Sequence, residues 1–454
     1  MKLKNKTLMH KMSLALAPIA LLMTVQAASA DELDSLGAAL GGGKTNFATQ
    51  YRYESVETAQ NTVGQAKAQT LGTRLGYETG DYRDFAVNVQ VQGVWSNKQF
   101  NDGQTNGNYR TDLNTVNDPA GVGVNSAHLV YRGIADTTIR QGRQIIRYDD
   151  DRWVGNVDWR QNWQSFDATS VVNKSLTDTT VKAAYVTNVN RPNGDGASTA
   201  ASANGLSTGN AHMKSTLLNI NNKSLSFADI VAYSYRLDYT NPAQAAASTG
   251  AANTFGSTDT TGLKLAKEGI DIGGYKFGWV AETANQKNFR LNTAAYNARY
   301  TNINANVGGS LGNIKIGQET LGSDNSRSVQ TPLSTLFAFN GWADKFLVTP
   351  TNGLKDTYVK ARSNAMGIVY GADFHQFKSD VGSVGLGREL DLIAEKALDK
   401  NFAVGARAAR YKADAASVGS GAGTSAATQT AGAGAGGVYL VDTNRMWLYG
   451  SFKF

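Results

Sequence analysis

Apolar and polar residues alternate along most of this chain, in segments of roughly ten residues separated by turn-forming residues. The last nine residues show the pattern clearly, because Met446, Leu448 and Phe452 alternate with more polar neighbours up to the terminal Phe454. A period of two predicts β-strands, and ten residues is about the length that a tilted strand needs to cross a membrane. About eighteen such segments can be counted along the chain.

The lengths of the connections carry a second signal, because short and long links alternate. The predicted short turns are 80–82, 135–137, 175–178, 222–226, 269–272, 306–308, 362–364 and 398–400, and the predicted long loops are 97–126, 147–160, 190–211, 240–257, 322–353 and 413–437. Short periplasmic turns and long extracellular loops are typical of outer-membrane barrels. A soluble β-sandwich, the alternative, would not sort its loops in this way. The predicted fold is all-β, a single transmembrane antiparallel β-barrel of about 18 strands.

The start of the chain resembles a secretory leader. Four lysines precede an apolar run over 14–25, which ends at Ala28-Ser29-Ala30. A basic segment, a short apolar core and small residues at the cleavage site are the features of a signal peptide. We therefore expect a signal peptide at 1–30, a periplasmic N-terminal segment at 31–44 and an outer-membrane barrel at 45–454. The expected partners are outer-membrane lipid and lipopolysaccharide, with barrel-assembly machinery engaging Phe454.

Composition and charge narrow the function further. The leader carries four of the seven excess positive charges, so the rest of the chain is only weakly basic and has no basic run. A nucleic-acid partner is therefore not expected. The absence of cysteine excludes disulfides and thiolate metal sites.

The phase of the alternation predicts which side chains face the lumen. The predicted pore-lining and selectivity residues on strands are Arg52, Arg74, Arg132, Arg236, Arg299, Arg407, Glu54, Glu78 and Asp238, and the same phase also places Lys264, Arg445, Glu282, Glu319, Asp373, Glu389 and Asp391 inside. The phase is ambiguous around Gln141 and Asp167. Cations outnumber anions modestly, which favours anion selection. Cross-strand ion pairs that only hold a wet wall together are the alternative.

The loop 322–353 is too apolar to extend into water. We expect it to fold inward or to pack across the barrel mouth, with Phe337, Trp342, Asp344 and Lys345 as a constriction. The acidic run Asp149, Asp150 and Asp151 is a weak candidate for a hard cation such as calcium. It can equally be a solvated loop, and no cofactor is predicted.

Two motifs do not support catalysis. Residues 41–45, Gly-Gly-Gly-Lys-Thr, lack the first glycine of a phosphate-binding loop and precede no predicted helix. After the leader the histidines are His128, His212 and His375, none beside a nucleophile in a known motif. The sequence therefore predicts no enzymatic activity.

Several segments resemble the bacterial alginate-export-type outer membrane proteins. Residues 142–144 (Gly-Arg-Gln) and 152–168 resemble a long signature of that family, and 51–54, 70–80 and 340–346 are similar to other family segments. The resemblance implies an eighteen-stranded barrel whose lumen arginines pass an anionic polysaccharide. The positions that match are Arg74, Arg132, Arg143, Arg152 and Arg160. The many inner carboxylates and the absence of a long periplasmic plug depart from a dedicated polymer exporter.

The sequence thus predicts a passive outer-membrane channel for polar, anionic solutes or saccharides. A general small-solute porin without a polymer role is one alternative. The other is an adhesion or assembly barrel with a closed pore, whose surface loops bind a partner.

Overall fold

A computed structural model describes residues 30–59, 63–104, 107–194, 209–242, 256–414 and 440–454. A helix, α1, spans Ala30–Gly41, and eighteen strands form one sheet. The strands are β1 Lys44–Thr58, β2 Ala66–Glu78, β3 Phe85–Ser96, β4 Gly121–Ile134, β5 Thr137–Gln144, β6 Ser165–Asn173, β7 Thr179–Asn190, β8 Asn210–Asn222, β9 Asp229–Leu237, β10 Thr258–Ile272, β11 Tyr275–Asn288, β12 Asn297–Gly309, β13 Gly312–Leu321, β14 Leu354–Ala365, β15 Ile368–Lys378, β16 Gly385–Ala397, β17 Phe402–Ala413 and β18 Thr443–Lys453.

The sheet closes on itself. Each strand pairs antiparallel with the next along the chain, and β18 pairs with β1 in an unbroken register from Ala48 with Lys453 to Thr58 with Thr443. Phe47 and Phe454 complete the seam through reciprocal backbone hydrogen bonds of 3.0 Å. Closure satisfies the backbone polar groups that an open edge would expose to lipid, so the predicted 18-stranded barrel is confirmed.

The two ends of the barrel differ as expected. The end that carries both termini has the short connections, and the opposite end has the long ones, including 97–120, 145–164 and 322–353. The loop segments 195–208, 243–255 and 415–439 lie outside the described residues. A ribbon of Ser323–Asp324 with Arg327–Ser328 and a 3-10 turn, Leu336–Ala338, interrupt the loop 322–353.

Three predicted turns are wrong by a few residues. The hairpins at 269–272, 306–308 and 362–364 actually turn at 273–274, 310–311 and 366–367. Gly269 misled the first of these predictions, because it adopts a φ of +72° in a bulge within β10. The true turn is Gly273-Gly274, with φ of +61° and +86°, the left-handed pair that a two-residue hairpin favours.

The outer face carries an apolar belt. Leu75, Ile303, Ile316 and Leu448 project from it and are about half exposed, as expected of side chains that lipid covers. On β18 the inward neighbours include Trp447, which is fully buried. The last strand therefore presents the faces that its sequence predicts.

The N-terminal helix α1 lies at the short-turn end. Gly80 in the β2–β3 turn donates a 2.8 Å backbone hydrogen bond to Ala39, and Tyr77 Oη donates to the carbonyl of Leu40. Residues 1–29 of the predicted leader lie outside the described residues. No described helix is long and apolar enough to cross a membrane.

We predict that Ile303→Arg destabilises the barrel by about 2–4 kcal/mol, because it places a charge on the lipid face at mid-strand. Asn302→Arg, one residue away on the inner face beside Glu282 and Glu319, is the matched control and should cost less than about 1 kcal/mol. Urea unfolding from lipid vesicles measures both. Equal costs for the two variants would contradict the assigned faces.

Candidate functional site

Three extracellular loops enter the barrel and fill the extracellular half of its lumen. The loops 97–120, 145–164 and 322–353 contribute Asp118, Arg160 and Asp344, and all three side chains are almost fully buried. They meet inward-facing residues of β1 and β18. The apolar loop 322–353 therefore folds inward, the first of the two placements that its sequence allowed.

A buried arginine–carboxylate cluster joins these loops to the wall. It consists of Arg52, Glu54, Asp118, Arg160, Asp344 and Arg445. Arg160 Nη1 lies 3.1 Å from Glu54 Oε2, and its Nη2 lies 3.0 Å from Asp344 Oδ2. Arg445 Nη1 lies 2.7 Å from the same Asp344 oxygen. Each inserted loop is thus held by at least one charge-assisted contact.

The charges in the cluster balance, three against three. Burial alone would lower the pKa of Arg160, but the carboxylates of Glu54, Asp118 and Asp344 hold that pKa above its usual value. Burial raises the pKa of Asp118, against the opposing effect of Arg160 and Arg52. Removing a single partner would leave a desolvated charge, which costs far more than losing an exposed ion pair.

An aromatic stack lies beside the cluster. The rings of Trp159 and Phe337 stack at 4.3 Å and 7°, and Trp447 meets both edge-on. Arg407 lies over Trp159 at 4.4 Å and over Trp342 at 5.0 Å. Two inserted loops and the barrel wall therefore also share an apolar contact, which cation–π attraction from Arg407 strengthens.

A second group of contacts holds the tip of the loop 145–164. Arg152 Nε lies 2.7 Å from Glu319 Oε1, and Trp153 Nε1 donates a 3.1 Å hydrogen bond to Glu282. The Trp153 ring packs on Tyr233 and Tyr300 at 5.8 and 5.0 Å. This part of the lumen therefore buries aromatic rings beside paired polar groups.

The acidic run 149–151 is neutralised by cationic side chains. Lys264 Nζ lies 2.8 Å from Asp149 and 2.9 Å from Asp150, and Arg147 pairs with Asp151. These contacts give the run a structural role that does not need a metal ion. The weak metal prediction for Asp149, Asp150 and Asp151 gains no support from the geometry.

A small cavity lies between the inserted loops. Its volume is about 80 Å³, enough for several waters at ~10–15 Å³ each. Arg160, Arg191 and Asp344 supply its charged groups, and Phe337 and Leu347 are among its apolar lining residues. The cavity lining thus combines two arginines and one carboxylate with apolar side chains.

Arg191 differs from Arg160, the other arginine that lines this cavity. Its Nη1 donates to the carbonyl of Pro332 at 3.2 Å, and its Nη2 donates to Tyr239 Oη at 3.4 Å. The side chain is 6% exposed, and its Nε has no hydrogen-bond partner in the described part of the chain. Both contacts are to neutral oxygens, so the guanidinium charge has no carboxylate partner among the described residues, and each Nη atom keeps a second N–H group for an anion.

The predicted pore-lining residues fall into three groups. Six lie on the inner face of strands: Arg52, Arg74, Arg132, Arg407, Glu54 and Glu78. Two lie in the inserted loop 145–164, namely Arg152 and Arg160. The remaining four lie on the outer face: Arg143, Arg236, Arg299 and Asp238. For the last four residues the predicted lumen position is wrong. Of the predicted constriction residues, Phe337, Trp342 and Asp344 contact the inner wall, and Lys345 Nζ lies 3.2 Å from Thr443 Oγ1.

The error has a physical cause. On β9 the tyrosines at 233 and 235 face inward because they pack against Trp153 and Tyr148 of the inserted loop. Arg236 therefore faces outward, 3.5 Å from Asp259. A rule that puts polar residues inside fails where the lumen is filled with protein. Packing against an inserted loop does not explain Arg143. This residue lies in a segment where the phase of the alternation is ambiguous, and on the outer face its Nε lies 2.7 Å from Asp167 Oδ1.

Two residues of the site have weak sequence signals. Asp118 and Arg191 lie in loops, where alternation gives no phase. Each immediately precedes a proline, at 119 and 192, which marks a turn but no chemistry. Neither residue was therefore predicted.

The periplasmic half of the inner wall is polar and accessible. Arg132 lies 2.7 Å from Glu78, and Arg407 lies 2.7 Å from Glu395, with the side chains one fifth to one third exposed. Arg362 and Lys360 pair with Asp373, which is buried on the same wall. The lumen is thus wet on this side and packed with loops on the other.

A closed 18-stranded barrel with a lipid-compatible outer face, a polar inner wall and inserted loops is the architecture of outer-membrane porins. The chain is accordingly a multi-pass β-barrel of the outer membrane, as its sequence predicts.

Comparisons with known proteins agree on this fold. No protein-family model and no curated protein matches the sequence. OccAB2 of Acinetobacter baumannii is similar in structure, with a TM-score of 0.65 and 14% identity over 92% of this chain and 100% of that one. OccD3 (OpdP) of Pseudomonas aeruginosa gives a TM-score of 0.59 and 13% identity, covering 92% of each chain.

OpdK, an outer membrane protein of Pseudomonas aeruginosa, is also similar and has been solved with vanillate. Its TM-score is 0.61 at 11% identity, over 91% of this chain and 99% of that one. At such identities the likeness shows the fold alone. The neighbours support a porin barrel and do not single out the alginate-export type.

We predict that Asp344→Asn destabilises the inserted loop 322–353 by about 3–5 kcal/mol, because Arg160 and Arg445 lose a shared buried carboxylate. Faster proteolysis of this loop in the folded barrel is the expected readout. Asp112→Asn, which breaks the exposed Arg110–Asp112 pair, is the control and should leave the digestion rate unchanged. Wild-type loop protection in Asp344→Asn would contradict the role given to the cluster.

We predict a pH dependence from Lys345, whose pKa is lowered to about 7 by burial and by Arg445. Between that value and 10.5, the ordinary value, the unfolded chain binds the proton and the folded chain does not. The Lys345 contribution therefore makes the free energy of unfolding rise with pH across this window, by at most ~1.4 kcal/mol per pH unit. Urea unfolding at several pH values should show a shallower rise in Lys345→Met. An identical slope in both proteins would rule out this titration.

Proposed function

We propose that this protein is a passive outer-membrane channel for small anionic solutes, with carboxylates that carry an apolar group as the preferred class. The observation that carries the proposal is Arg191 at the cavity between the inserted loops. Its contacts in the described structure are to neutral oxygens, whereas Arg160 in the same cavity is already paired with Glu54 and Asp344. An anion can therefore compete for Arg191 without displacing a carboxylate of the protein.

The wall of the cavity indicates what accompanies the anionic group. Leu336, Phe337 and Leu347 line the cavity together with Pro192 and Pro332. A carboxylate bound by arginine gains a charge-assisted hydrogen bond, and an aliphatic or aromatic body gains from apolar burial. The vanillate in OpdK, a channel of similar fold, is an aromatic carboxylate and supports this class as a hypothesis.

A second buried arginine adds to the anion preference. Arg74 stacks on Trp163 at 3.8 Å and donates to the carbonyl of Gln161 at 3.4 Å. Its hydrogen bond, like those of Arg191, goes to a neutral oxygen. Arg74 and Arg191 are thus two buried arginines without a carboxylate at ion-pair distance among the described residues. Their positive charges favour anions near these two side chains.

The alternative functions differ in the kind of solute that must pass through the barrel. Export of an anionic polysaccharide, which the family resemblance implies, requires a wide path past the loops 97–120, 145–164 and 322–353, and these loops occupy the extracellular half of the lumen. We therefore favour small solutes over a polymer. Transport measurements distinguish the proposed channel from a porin without charge preference and from a closed adhesion barrel.

We predict that Arg191→Gln reduces uptake of benzoate into proteoliposomes roughly 10- to 150-fold at low concentration, because the site loses a charge-assisted contact of roughly 1.5–3 kcal/mol. Uptake of an uncharged sugar of similar size should change less than twofold. Arg110→Gln, at an exposed arginine of the loop 97–120, is the matched control and should behave as wild type. Unchanged benzoate uptake in Arg191→Gln would refute the assigned site, and wild-type vesicles impermeable to both solutes would refute the channel.

A further inference from the structure

A second cluster of buried ionisable groups lies on the inner wall, away from the Arg191 cavity. Asp373, His375 and Asp391 project inward from β15 and β16, and each offers one ligand atom within 4.8 Å of the other two. All three side chains are at most 1% exposed. The group plays no part in the proposed selection of anions.

His375 is oriented as a metal-binding histidine is. Its Nδ1 lies 2.9 Å from both carboxylate oxygens of Asp356 on β14, so the proton of the ring is held on that nitrogen. The Nε2 atom is left as a lone-pair donor, 3.9 Å from Asp391 Oδ2, and has no hydrogen-bond partner among the described residues. A carboxylate that fixes the far nitrogen of a ligand histidine is the usual support of such sites.

The buried carboxylates around this cluster outnumber the cationic groups that could neutralise them. Asp356, Asp373, Glu389 and Asp391 are all at most 1% exposed. Among the described residues, the cationic groups within ion-pair distance of them, His375 aside, are Lys360 and Arg362, both on Asp373. Four carboxylates against two cations leave two negative charges, the amount that one divalent ion neutralises.

Unused acceptor atoms point to the same place. Asp391 Oδ1 and Glu389 Oε2 have no hydrogen-bond partner in the described structure, and the two residues lie two positions apart on the inner face of β16. Two buried carboxylates side by side are stabilised by either a shared proton or a bridging cation. The free Nε2 of His375 favours the cation, because a shared proton would leave this nitrogen unsatisfied.

We propose that Asp373, His375 and Asp391 bind a divalent first-row transition metal ion of the Zn²⁺ class, with Asp356 as the residue that positions His375. One nitrogen and carboxylate oxygens suit such an ion better than they suit Ca²⁺ or Mg²⁺, which prefer oxygen alone. The proposal goes beyond solute transport and does not depend on it.

The position of the site indicates its role. The backbone N–H groups of Trp342 and Ala343 donate to Asp391 Oδ2 at 3.3 Å and to Glu389 Oε1 at 2.7 Å. Gly341, with a φ of +84°, allows this approach, because a Cβ there would lie 2.6 Å from Glu389 Oε2. A metal ion that fixes these carboxylates also fixes the inserted loop 322–353 that docks on them.

The test uses untagged full-length barrel without its leader, refolded in detergent free of lipopolysaccharide so that lipid-bound cations do not contribute. Isothermal titration with Zn²⁺, after EDTA treatment and dialysis, should give one ion per chain. Asp391→Asn and His375→Gln should abolish this binding, and Asp356→Asn should weaken it roughly 10–100-fold. Co²⁺ absorption spectra provide a second readout of nitrogen and oxygen ligation.

His212→Gln removes an exposed histidine and is the matched control, expected to bind as wild type. Retained resistance to heat unfolding on gels shows that each variant is a folded barrel. Absence of Zn²⁺ binding in the wild-type protein would overturn the proposal and assign a shared proton to Glu389 and Asp391. Wild-type binding in folded His375→Gln would also overturn it.

Discussion

The buried ion pairs between Arg160, Glu54 and Asp344 are the contacts on which the interior of this barrel depends. An 18-stranded barrel is too wide for its own side chains to fill. Loops that enter it must be held by something stronger than apolar contact with a wet wall. Here arginine and carboxylate groups from two inserted loops and the barrel wall meet with their charges balanced. Because these charges are desolvated, the arrangement is specific as well as stable: displacing one loop exposes unpaired charge on its partners.

This constraint divides the lumen into two halves with different properties. The periplasmic half has accessible, paired charges such as Arg132 with Glu78. The extracellular half holds the inserted loops, and a cavity lies between them near Arg191 and Phe337. A solute must pass the second region to reach the first. Selectivity for anions is therefore expected at Arg191, which bonds only neutral oxygens.

The same constraint explains which features could be predicted from sequence. Strand alternation and loop length depend on lipid outside and on closure of the sheet, so the barrel and its orientation were predictable. Which face of a strand a given residue occupies depends also on what lies inside the barrel. The predictions for Arg52 and Glu54 placed them on the correct face, whereas those for Arg236 and Arg299 failed where inserted aromatic residues make the inner face apolar. Contacts between distant loops, such as Asp118 with Arg160, leave no periodic trace in the chain.

The ionic selectivity of single channels tests the central claim most directly. Purified barrel would be inserted into planar bilayers with a potassium chloride gradient, and the reversal potential would be measured for wild-type protein at neutral pH. We expect stable open channels, with a reversal potential of the sign that chloride permeation sets. A reversal potential of the opposite sign, or the absence of any conductance from correctly inserted protein, would contradict an anion-selective pathway through the loop-filled lumen.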